Sequence, residues 1–348
     1  MIKQVLFFCL LMFSTSLYSQ NREIYQSSMN FLTIPYDAKS SGMGNTGLAT
    51  SPDVYSHVHN PAKYVFEKQE GGIFTFYSPW LRNTTLKDMG LYALSGYAKI
   101  DSVQAISSSF RFFSLGDVAY YDEIGQYSGS FGSHEMAFDM AYSRQLFKNM
   151  SGAVAFRYAQ SKIASNSSVS QGHQVANVFA ADIYFYYLKD LSWNTPSKVS
   201  FALAVTNLGT QVSYGLSKSY FLPAQLKLGA GWEVGSIAHK FSVSADVAKY
   251  FAPTKTGNGS SSSFMENAAL RGGVGLEYNY LDMLKVRTGY TAEDINFGNR
   301  QIASFGLGGK YKNIYLDIAY LVPTSFANHP MANTIFISLA IDFPWNKY

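Results

Sequence analysis

Two histidines lie two residues apart and could bind a metal ion together. In an extended stretch His57 and His59 point to the same side, as a pair of ligands would. A protein metal site normally needs three or four ligands, and neither a carboxylate nor a third histidine completes the set at close spacing. We therefore interpret the pair as structural and predict no metal site.

A glycine-rich run at residues 305–310, F-G-L-G-G-K, superficially resembles a phosphate-binding loop. The full pattern requires Ser or Thr after the lysine, but Tyr311 follows Lys310 and strand-like sequence flanks the run. Close backbone approach or small inward-facing positions on a curved wall explain these glycines better. We predict neither a nucleotide site nor any other cofactor.

The sequence contains no G-x-S-x-G nucleophile elbow, and no Ser, His and Asp set stands out. We predict that the protein has no catalytic residues and is not an enzyme, although a site assembled from distant strands would escape this test. The formal net charge is only +4, from 27 Lys and Arg against 23 Asp and Glu. This balance of charges does not predict a basic surface that would bind nucleic acid.

Eight charged residues fall on the predicted inner face of the strands described below: Arg157, Asp182, Lys227, Glu233, Asp246, Arg271, Glu277 and Lys310. Inside a polar lumen such groups can pair with one another. Alternatively, they could line a pore or anchor an N-terminal segment, and these roles overlap.

Four aromatic residues lie in the segment 115–132, among three acidic residues: Tyr120, Tyr121, Tyr127 and Phe131. A rigid ring buries a large area at a small entropic cost, and tyrosines are enriched where proteins bind one another. We predict that this segment is a loop that contacts a partner.

The composition indicates which class of fold must position these residues. Of 348 residues, 47% are hydrophobic, 16% are aromatic and only 14% are charged. Soluble domains carry about 25% charged residues. After the first residues no run of about 18 apolar residues is present, so the sequence offers no transmembrane helix. A charge-poor chain of this kind can enter lipid as a closed β-barrel, in which every backbone polar group finds a partner.

The N-terminal residues 1–19 are typical of a signal peptide. Lys3 supplies the positive charge, an apolar run follows, and residues 17–19 form a plausible cleavage site before Gln20. Cys9, the single cysteine of the sequence, lies inside this segment. We expect an exported mature chain that needs no disulfide bond.

From residue 71 to residue 348 apolar residues alternate with small or polar ones, the pattern of a barrel wall. We predict an all-β fold, a 14-stranded antiparallel transmembrane β-barrel, with strands at 71–82, 87–100, 103–114, 133–147, 150–163, 174–188, 198–207, 222–234, 238–251, 266–280, 283–293, 299–311, 314–322 and 332–343. The count is even, as in bacterial single-chain barrels.

Most of the predicted gaps alternate between long and short, with 83–86, 294–298 and 189–197 as exceptions. Outer-membrane barrels have long external loops and short periplasmic turns. We therefore predict a multi-pass barrel of the outer membrane, surrounded by its lipid, with both termini on the periplasmic side.

Residues 20–70 lack this alternation and hold several glycines and prolines. Apolar residues such as Phe31, Met43 and Tyr64 make the segment too hydrophobic for a solvated tail. Its most distinctive parts are the G-x-G at Gly42 and Gly44, the stretch A-T-S-P-D at residues 49–53, and the N-P-A element at Asn60, Pro61 and Ala62.

These elements resemble the N-terminal hatch of the FadL-like outer-membrane barrels. Within that superfamily, A-T-S-P-D followed by N-P-A-K-Y-x-F is most similar to the PorV (LptO) family of the Bacteroidetes type IX secretion system. The resemblance implies that residues 20–70 form a hatch, or plug, inside the 14-stranded FadL-like barrel.

The resemblance to the PorV family also implies partners. They are a SprA-like translocon, secreted cargo with type IX C-terminal signal domains, and a PorU-like sortase attachment complex. The alternative, implied by the wider superfamily, is FadL-type uptake of hydrophobic small molecules, which needs an apolar pocket. Co-purification of a translocon or of bound lipid would distinguish the two.

Overall fold

The computed structural model describes residues 27–80, 88–121, 124–164, 173–214, 219–250, 270–294, 299–324 and 334–343. Within these residues fourteen antiparallel strands close into one barrel, in the order β1-β16-β15-β14-β13-β12-β11-β10-β7-β6-β5-β4-β3-β2. The strands are β1 (Gly71–Pro79), β2 (Met89–Lys99), β3 (Gln104–Tyr121), β4 (Tyr127–Phe147), β5 (Met150–Ala164), β6 (His173–Leu191), β7 (Ser197–Gly209), β10 (Gln225–Gly235), β11 (His239–Tyr250), β12 (Leu270–Tyr280), β13 (Leu284–Glu293), β14 (Gln301–Tyr311), β15 (Ile314–Pro323) and β16 (Thr334–Phe343). Two short strands, β8 (Val212–Ser213) and β9 (Ser219–Tyr220), pair separately.

The alternating sequence forms the barrel because it provides two different faces. On β16, Ile337 and Leu339 lie on the outer surface, whereas Phe336 and Ser338 are buried on the inner side. Pairing of β1 with β16, which starts at Gly71 opposite Phe343, closes the sheet. Closure leaves no unpaired edge in the lipid, where an unsatisfied backbone group is costly.

The predicted fold is confirmed: each of the fourteen predicted segments overlaps one barrel strand. The main difference is the segment 115–132, which is mostly a hairpin and not a loop. β3 continues to Tyr121 and β4 begins at Tyr127. The register shifts between Ser114 and Asp117, beside Gly116 with φ +81°. This bulge interrupts the two-residue period, and the alternating pattern therefore predicts a strand that ends at residue 114.

The connections define two ends of the barrel. The short-turn end carries the connections at 100–103, 148–149, 192–196, 236–238, 281–283 and 312–313. The long-loop end carries longer connections, of which 165–172, 251–269 and 325–333 lie outside the described residues. No helix in the described part of the chain is long and apolar enough to cross a membrane.

Residues 27–70, here called the inner segment, contain one turn of α-helix (Ala38–Ser41) and three 3-10 helices (Asn30–Thr33, Ser56–Val58 and Pro61–Phe66). Their side chains are mostly buried. The hydrogen bonds of the inner segment reach inward-facing residues on strands around the circumference of the barrel. The exact boundaries of the predicted domains, 1–19, 20–70 and 71–348, stay predictions.

The inner segment crosses the barrel from one end to the other. Ser27 pairs with Phe221 at the long-loop end, whereas Gly71 begins β1 at the short-turn end, opposite Phe343. The two ends of the described chain therefore lie at opposite ends of the barrel. The described chain thus traverses the lumen once before β1, and the location of both termini on the periplasmic side stays a prediction. Residues 1–26 and 344–348 lie outside the described residues, and the orientation in the membrane stays a prediction.

The barrel geometry predicts a depth-dependent cost of charge on the outer face. Val274, near the middle of β12, and Tyr280, at its short-turn end, both lie on that face. Val274→Arg should lower the free energy of unfolding by about 2–4 kcal/mol, whereas Tyr280→Arg should cost about 0–1 kcal/mol. Urea unfolding in lipid vesicles measures both values. Equal costs at the two positions would contradict the assigned lipid-facing surface.

Candidate functional site: a filled lumen and a projecting hairpin

Serine hydroxyls of the wall satisfy the backbone of the inner segment. The N–H of Ala38 donates to Ser338 Oγ at 2.9 Å, and the N–H of Gly44 donates to Ser304 Oγ at 2.9 Å. In the other direction, Ser200 Oγ donates to the carbonyl of Ala49. A short polar side chain on a strand thus replaces the partner that a regular helix would supply from its own backbone.

The N-P-A element is held by the same kind of contact. Ser143 Oγ donates to the carbonyl of Pro61 at 2.9 Å, and Ser151 Oγ donates to the carbonyl of Ala62 at 2.6 Å. Asn60 caps the following 3-10 helix, since its side-chain oxygen accepts from the N–H of Ala62 at 3.1 Å. Pro61 and Ala62 of the N-P-A element therefore lie against β4 and β5.

The G-x-G element packs backbone against backbone. A Cβ at Gly42 would lie 2.9 Å from Gly306 Cα, and a Cβ at Gly44 would lie 2.4 Å from the carbonyl oxygen of Val274. Gly44 also has φ +64°, which favours glycine. From the wall side, a Cβ at Gly289 would lie 2.1 Å from the nitrogen of Gly44. Glycines on both surfaces are required because no room for a side chain remains.

One buried charge network lies near the middle of the wall. The Arg111 guanidinium bonds Asp139 at 3.1 Å, and Arg157 bonds both Asp139 and, at 2.9 Å, Asp182. The Arg111 guanidinium also lies 4.7 Å from the centre of the Tyr36 ring. The network therefore joins four neighbouring wall strands, β3 to β6, to the inner segment, and buried charges of this kind require such pairing.

A second network lies toward the short-turn end. Arg287 bonds Glu277 at 2.6 Å and Asp317 at 2.5 Å, and the Tyr55 hydroxyl donates to Asp317 at 2.7 Å. Of the eight charged residues predicted for the inner face, Arg157 pairs with Asp182, Glu277 with Arg287 and Lys310 with Asp282. Asp246 and Glu233 accept hydrogen bonds from the inner segment. Two of the predicted roles of these charges, pairing with other charges and anchoring the inner segment, therefore occur together.

Within the inner segment, Lys39 and Asp53 form an ion pair at 2.5 Å. Burial alone would raise the pKa of Asp53, but the ammonium groups of Lys39 and Lys63 hold that pKa below its ordinary value. Lys63 in turn donates to the carbonyl of Gly47 at 2.9 Å. These contacts brace the turns of the segment against one another.

The structure brings together a serine, a histidine and an aspartate that the sequence did not point out. His59 Nε2 lies 2.8 Å from Ser40 Oγ and 3.4 Å from an Asp37 oxygen, and Ser40 Oγ donates to Asp37 at 2.5 Å. In a catalytic triad the imidazole bridges serine and carboxylate with its two different nitrogens. Here both groups lie on Nε2, and Asp37 also accepts from the N–H of Ser40 as a helix cap. The geometry supports a structural role.

The two histidines that the sequence analysis considered as metal ligands contact different groups. His57 Nδ1 lies 2.7 Å from Ser107 Oγ, whereas His59 contacts Ser40. Among the described residues, no group of three or more His, Cys, Asp and Glu could hold a metal ion. Burial lowers the pKa of His57 to about 4, although Asp139 acts in the opposite direction.

Two larger cavities remain beside the inner segment. A cavity of about 260 Å³ at the short-turn end is lined mainly by polar and charged side chains, among them Lys285, Glu233 and Asp342. A smaller cavity of about 60 Å³ is lined by apolar residues such as Ile34, Ile302 and Phe336 together with polar and charged ones such as Arg271 and Glu293.

The hairpin of β3 and β4 projects from the barrel. The two strands have 18 and 21 residues, against about 9–11 needed to cross the membrane. Among the described residues, pairing with β2 ends at Leu115 and pairing with β5 ends at His134. Among the described residues, the strand segments 116–121 and 127–133 therefore form backbone pairs only with each other, over a length of about 20 Å.

The predicted contact residues differ in exposure. Tyr121 and Tyr127 are about two-thirds exposed, with ring centres 6.1 Å apart, and Ile124 at the tip is 80% exposed. Phe131 is buried, and the Lys162 ammonium lies 5.1 Å from its ring centre. Tyr120 belongs to β3, but its side chain lies outside the described residues. The exposed part of the predicted surface is thus the hairpin tip.

Comparison with known proteins gives one family and one fold. The profile of the family described as "Type IX secretion system protein PorV" matches residues 17–257. No curated protein matches the chain. Among solved structures, the Ralstonia pickettii toluene transporter TbuX is similar, with a TM-score of 0.58 and 12% identity over 89% of this chain and 98% of that chain. The Pseudomonas putida toluene transporter TodX is similar as well, with a TM-score of 0.57 and 12% identity over 88% of this chain and 98% of that chain.

The glycine contact predicts that one added methyl group disturbs the inner segment. Gly289→Ala would place its Cβ 2.1 Å from the Gly44 nitrogen, whereas a Cβ at Gly272 meets nothing within 4 Å. Gly289→Ala should lower stability by about 1–3 kcal/mol and make the inner segment more sensitive to protease. Gly272→Ala is the matched control and should behave as wild type. Equal stability of both variants would contradict the backbone contact.

The buried His57 predicts a loss of stability in acid. Its pKa is about 4 in the folded protein against an ordinary 6.5, so the unfolded chain binds the proton more tightly. The free energy of unfolding that the neutral, buried His57 contributes is complete above pH 6.5. As the pH falls toward 4, this contribution of about 3 kcal/mol is lost. Unfolding of wild type and His57→Gln from pH 7.5 to 4 measures it. The variant should show a smaller loss, and parallel curves would refute this role of His57.

Proposed function

The chain belongs to the PorV family of type IX secretion system proteins, and we propose that it serves that system in the outer membrane. In the proposed role the barrel binds a SprA-like translocon and receives secreted cargo through the type IX C-terminal signal domain of the cargo. It then delivers the cargo to a PorU-like sortase attachment complex. The observation that carries the proposal is the family match over residues 17–257.

The lumen supports a role in docking more than a role in open conduction. Inner-segment contacts reach the wall on many strands, and two buried charge networks lie where an open porin would hold water. A barrel filled in this way offers a rigid platform in the membrane without an open aqueous channel.

The projecting hairpin is the proposed docking surface. Tyr121, Ile124 and Tyr127 are exposed at its tip, and exposed rings of this kind are common at the centres of protein interfaces. Among the described residues, pairing with β2 ends at Leu115, so residues 116–121 also offer backbone groups that could pair with an extended strand of a partner. The hairpin therefore combines side-chain and backbone recognition.

Uptake of hydrophobic small molecules is the second candidate. It is supported by the fold shared with the toluene transporters TbuX and TodX, and by the cavity of about 60 Å³ that is partly lined by apolar residues such as Ile302 and Phe336. At 12% identity that likeness concerns the fold alone. Small apolar pockets of this size also occur in packed proteins without a ligand.

Deletion of the gene for this chain distinguishes the two candidates. Under the proposed function, proteins with type IX C-terminal signal domains disappear from the cell surface and accumulate in the periplasm. Growth on hydrophobic compounds should remain normal. A normal surface proteome with impaired uptake of an aromatic hydrocarbon would overturn the secretion role and favour the second candidate.

The hairpin can be tested separately in the full-length protein. Tyr121→Ser combined with Tyr127→Ser should reduce co-purification of the translocon or the cargo at least tenfold, since each ring at an interface centre contributes about 1–2 kcal/mol. Tyr311→Ser is the matched control, because Tyr311 is similarly exposed but lies at the short-turn end. Unchanged co-purification in the double variant would exclude the hairpin tip as the docking surface.

A further inference from the structure

Two inward-facing cations of the wall lack an ion-pair partner among the described residues. Lys227 on β10 and Arg271 on β12 flank Ala248 of β11 in one row across the sheet. Neither cation takes part in the ion pairs of the described residues, unlike Arg111 and Arg157, which bond Asp139. An unpaired charge inside a protein is costly and calls for a counter-ion.

A small polar cavity lies beside these two cations, between the wall and the inner segment. Its volume is about 30 Å³, and the inner segment contributes residues such as Tyr36, Asn45 and His59 to its lining. A second cavity of about 10 Å³ also touches Lys227 and Arg271. The space suits a single small ion or a water molecule, and it is too small for an organic ligand.

Three buried polar atoms without a hydrogen-bond partner belong to residues that line the larger cavity. They are Thr206 Oγ1, Arg111 Nε and Asn45 Oδ1. Thr206 is 3% exposed and Arg111 is 2% exposed. Buried groups of this kind are normally satisfied in native proteins, by protein atoms or by a bound molecule. Two of the three, the hydroxyl and the guanidinium N–H, can donate to an anion.

The charges around the cavity have an excess of positive sign. Arg111, Arg157, Lys227 and Arg271 line it, whereas Asp182 is the one carboxylate among its described lining residues. Asp139 and Asp182 already bond the first two arginines.

Two further carboxylates lie near the other two cations. One oxygen of Asp246 accepts the N–H groups of Gly47 and Leu48 at 2.8 and 2.9 Å. Its other oxygen has no hydrogen-bond partner among the described residues, and Asp246 lines the cavity of about 10 Å³ together with Lys227 and Arg271. Glu293, which lies opposite Arg271 in the sheet, pairs with Arg300. Neither Lys227 nor Arg271 forms an ion pair with these carboxylates among the described residues. Even with Asp139, Asp182 and Asp246 counted against the four cations, one positive charge is left without a counter-charge.

We propose that this cavity binds one small inorganic anion, with chloride as the physiological case, between Lys227, Arg271 and Thr206. The anion neutralises the excess charge and accepts the unpaired donors. Because wall and inner segment both line the site, the bound ion joins the two and stabilises the inner segment in its place. This proposal does not depend on the proposed function in secretion.

The test uses the purified full-length barrel in detergent. At constant ionic strength, replacement of gluconate by chloride or bromide should raise the unfolding midpoint in a saturable way, by about 2–4 °C. Crystals soaked in bromide should show an anomalous peak between Lys227 and Arg271. No peak in the cavity, together with a midpoint that does not depend on the halide, would show that the cavity holds water only and would overturn the proposal.

Variants locate the halide effect. Lys227→Met should remove the halide-dependent shift, and Thr206→Val should weaken it if Lys227→Met fails to fold. Lys285→Met is the matched control, since Lys285 lines the other cavity at the short-turn end, and it should keep the full shift. A halide response that persists in both Lys227→Met and Thr206→Val would also overturn the assignment.

Discussion

The structure depends on one constraint: the inner segment has little regular secondary structure, yet its backbone is buried inside a barrel. Each buried N–H and C=O must find a partner, because an unpaired group costs about 1–3 kcal/mol. The wall supplies these partners from its inward-facing positions. Ser304, Ser338, Ser143 and Ser151 bond backbone atoms of the segment, and Asp246 accepts two of its N–H groups. The wall sequence is therefore adapted to one particular path of the chain.

This constraint explains why glycine and charge occur where they do. Where the inner segment passes closest to the wall, as at Gly44 and Gly289, both surfaces lose their side chains. Where space remains, paired charges such as Arg287 with Glu277 fill it. Breaking such a pair leaves an isolated buried charge, which is more costly than the pair is stabilising. The filled lumen is thus a specific fit between the wall and the inner segment.

Much of the fold follows from local pattern in the sequence. The two-residue period predicts all fourteen barrel strands, since lipid outside and polar groups inside act on every residue of a strand. The extension of β3 past Gly116 was missed because a bulge breaks that period. The burial of Phe131 does not follow from the local sequence, because Lys162, which contacts its ring, lies on the next strand.

The site was less accessible from sequence than the fold. The contact of Gly44 with Ser304 joins residues 260 positions apart, and the contact of Ser40 with His59 depends on how an irregular segment turns. A single sequence does not give the register of the strands, so it contains no signal for either of these two contacts. The one usable signal in the sequence is that small polar residues recur on the inner face of the strands, and several of them bind the inner segment.

The measurement that tests this account most directly is hydrogen exchange at the amides of Gly44, Gly47 and Leu48. All three donate to wall side chains, at 2.8–2.9 Å. If the inner segment is a fixed part of the barrel, these amides should exchange as slowly as amides in the middle of β12, since opening them requires breaking wall contacts. Exchange as rapid as that of an exposed loop would contradict the account, because it would show that the segment leaves its place in the lumen without disturbing the wall.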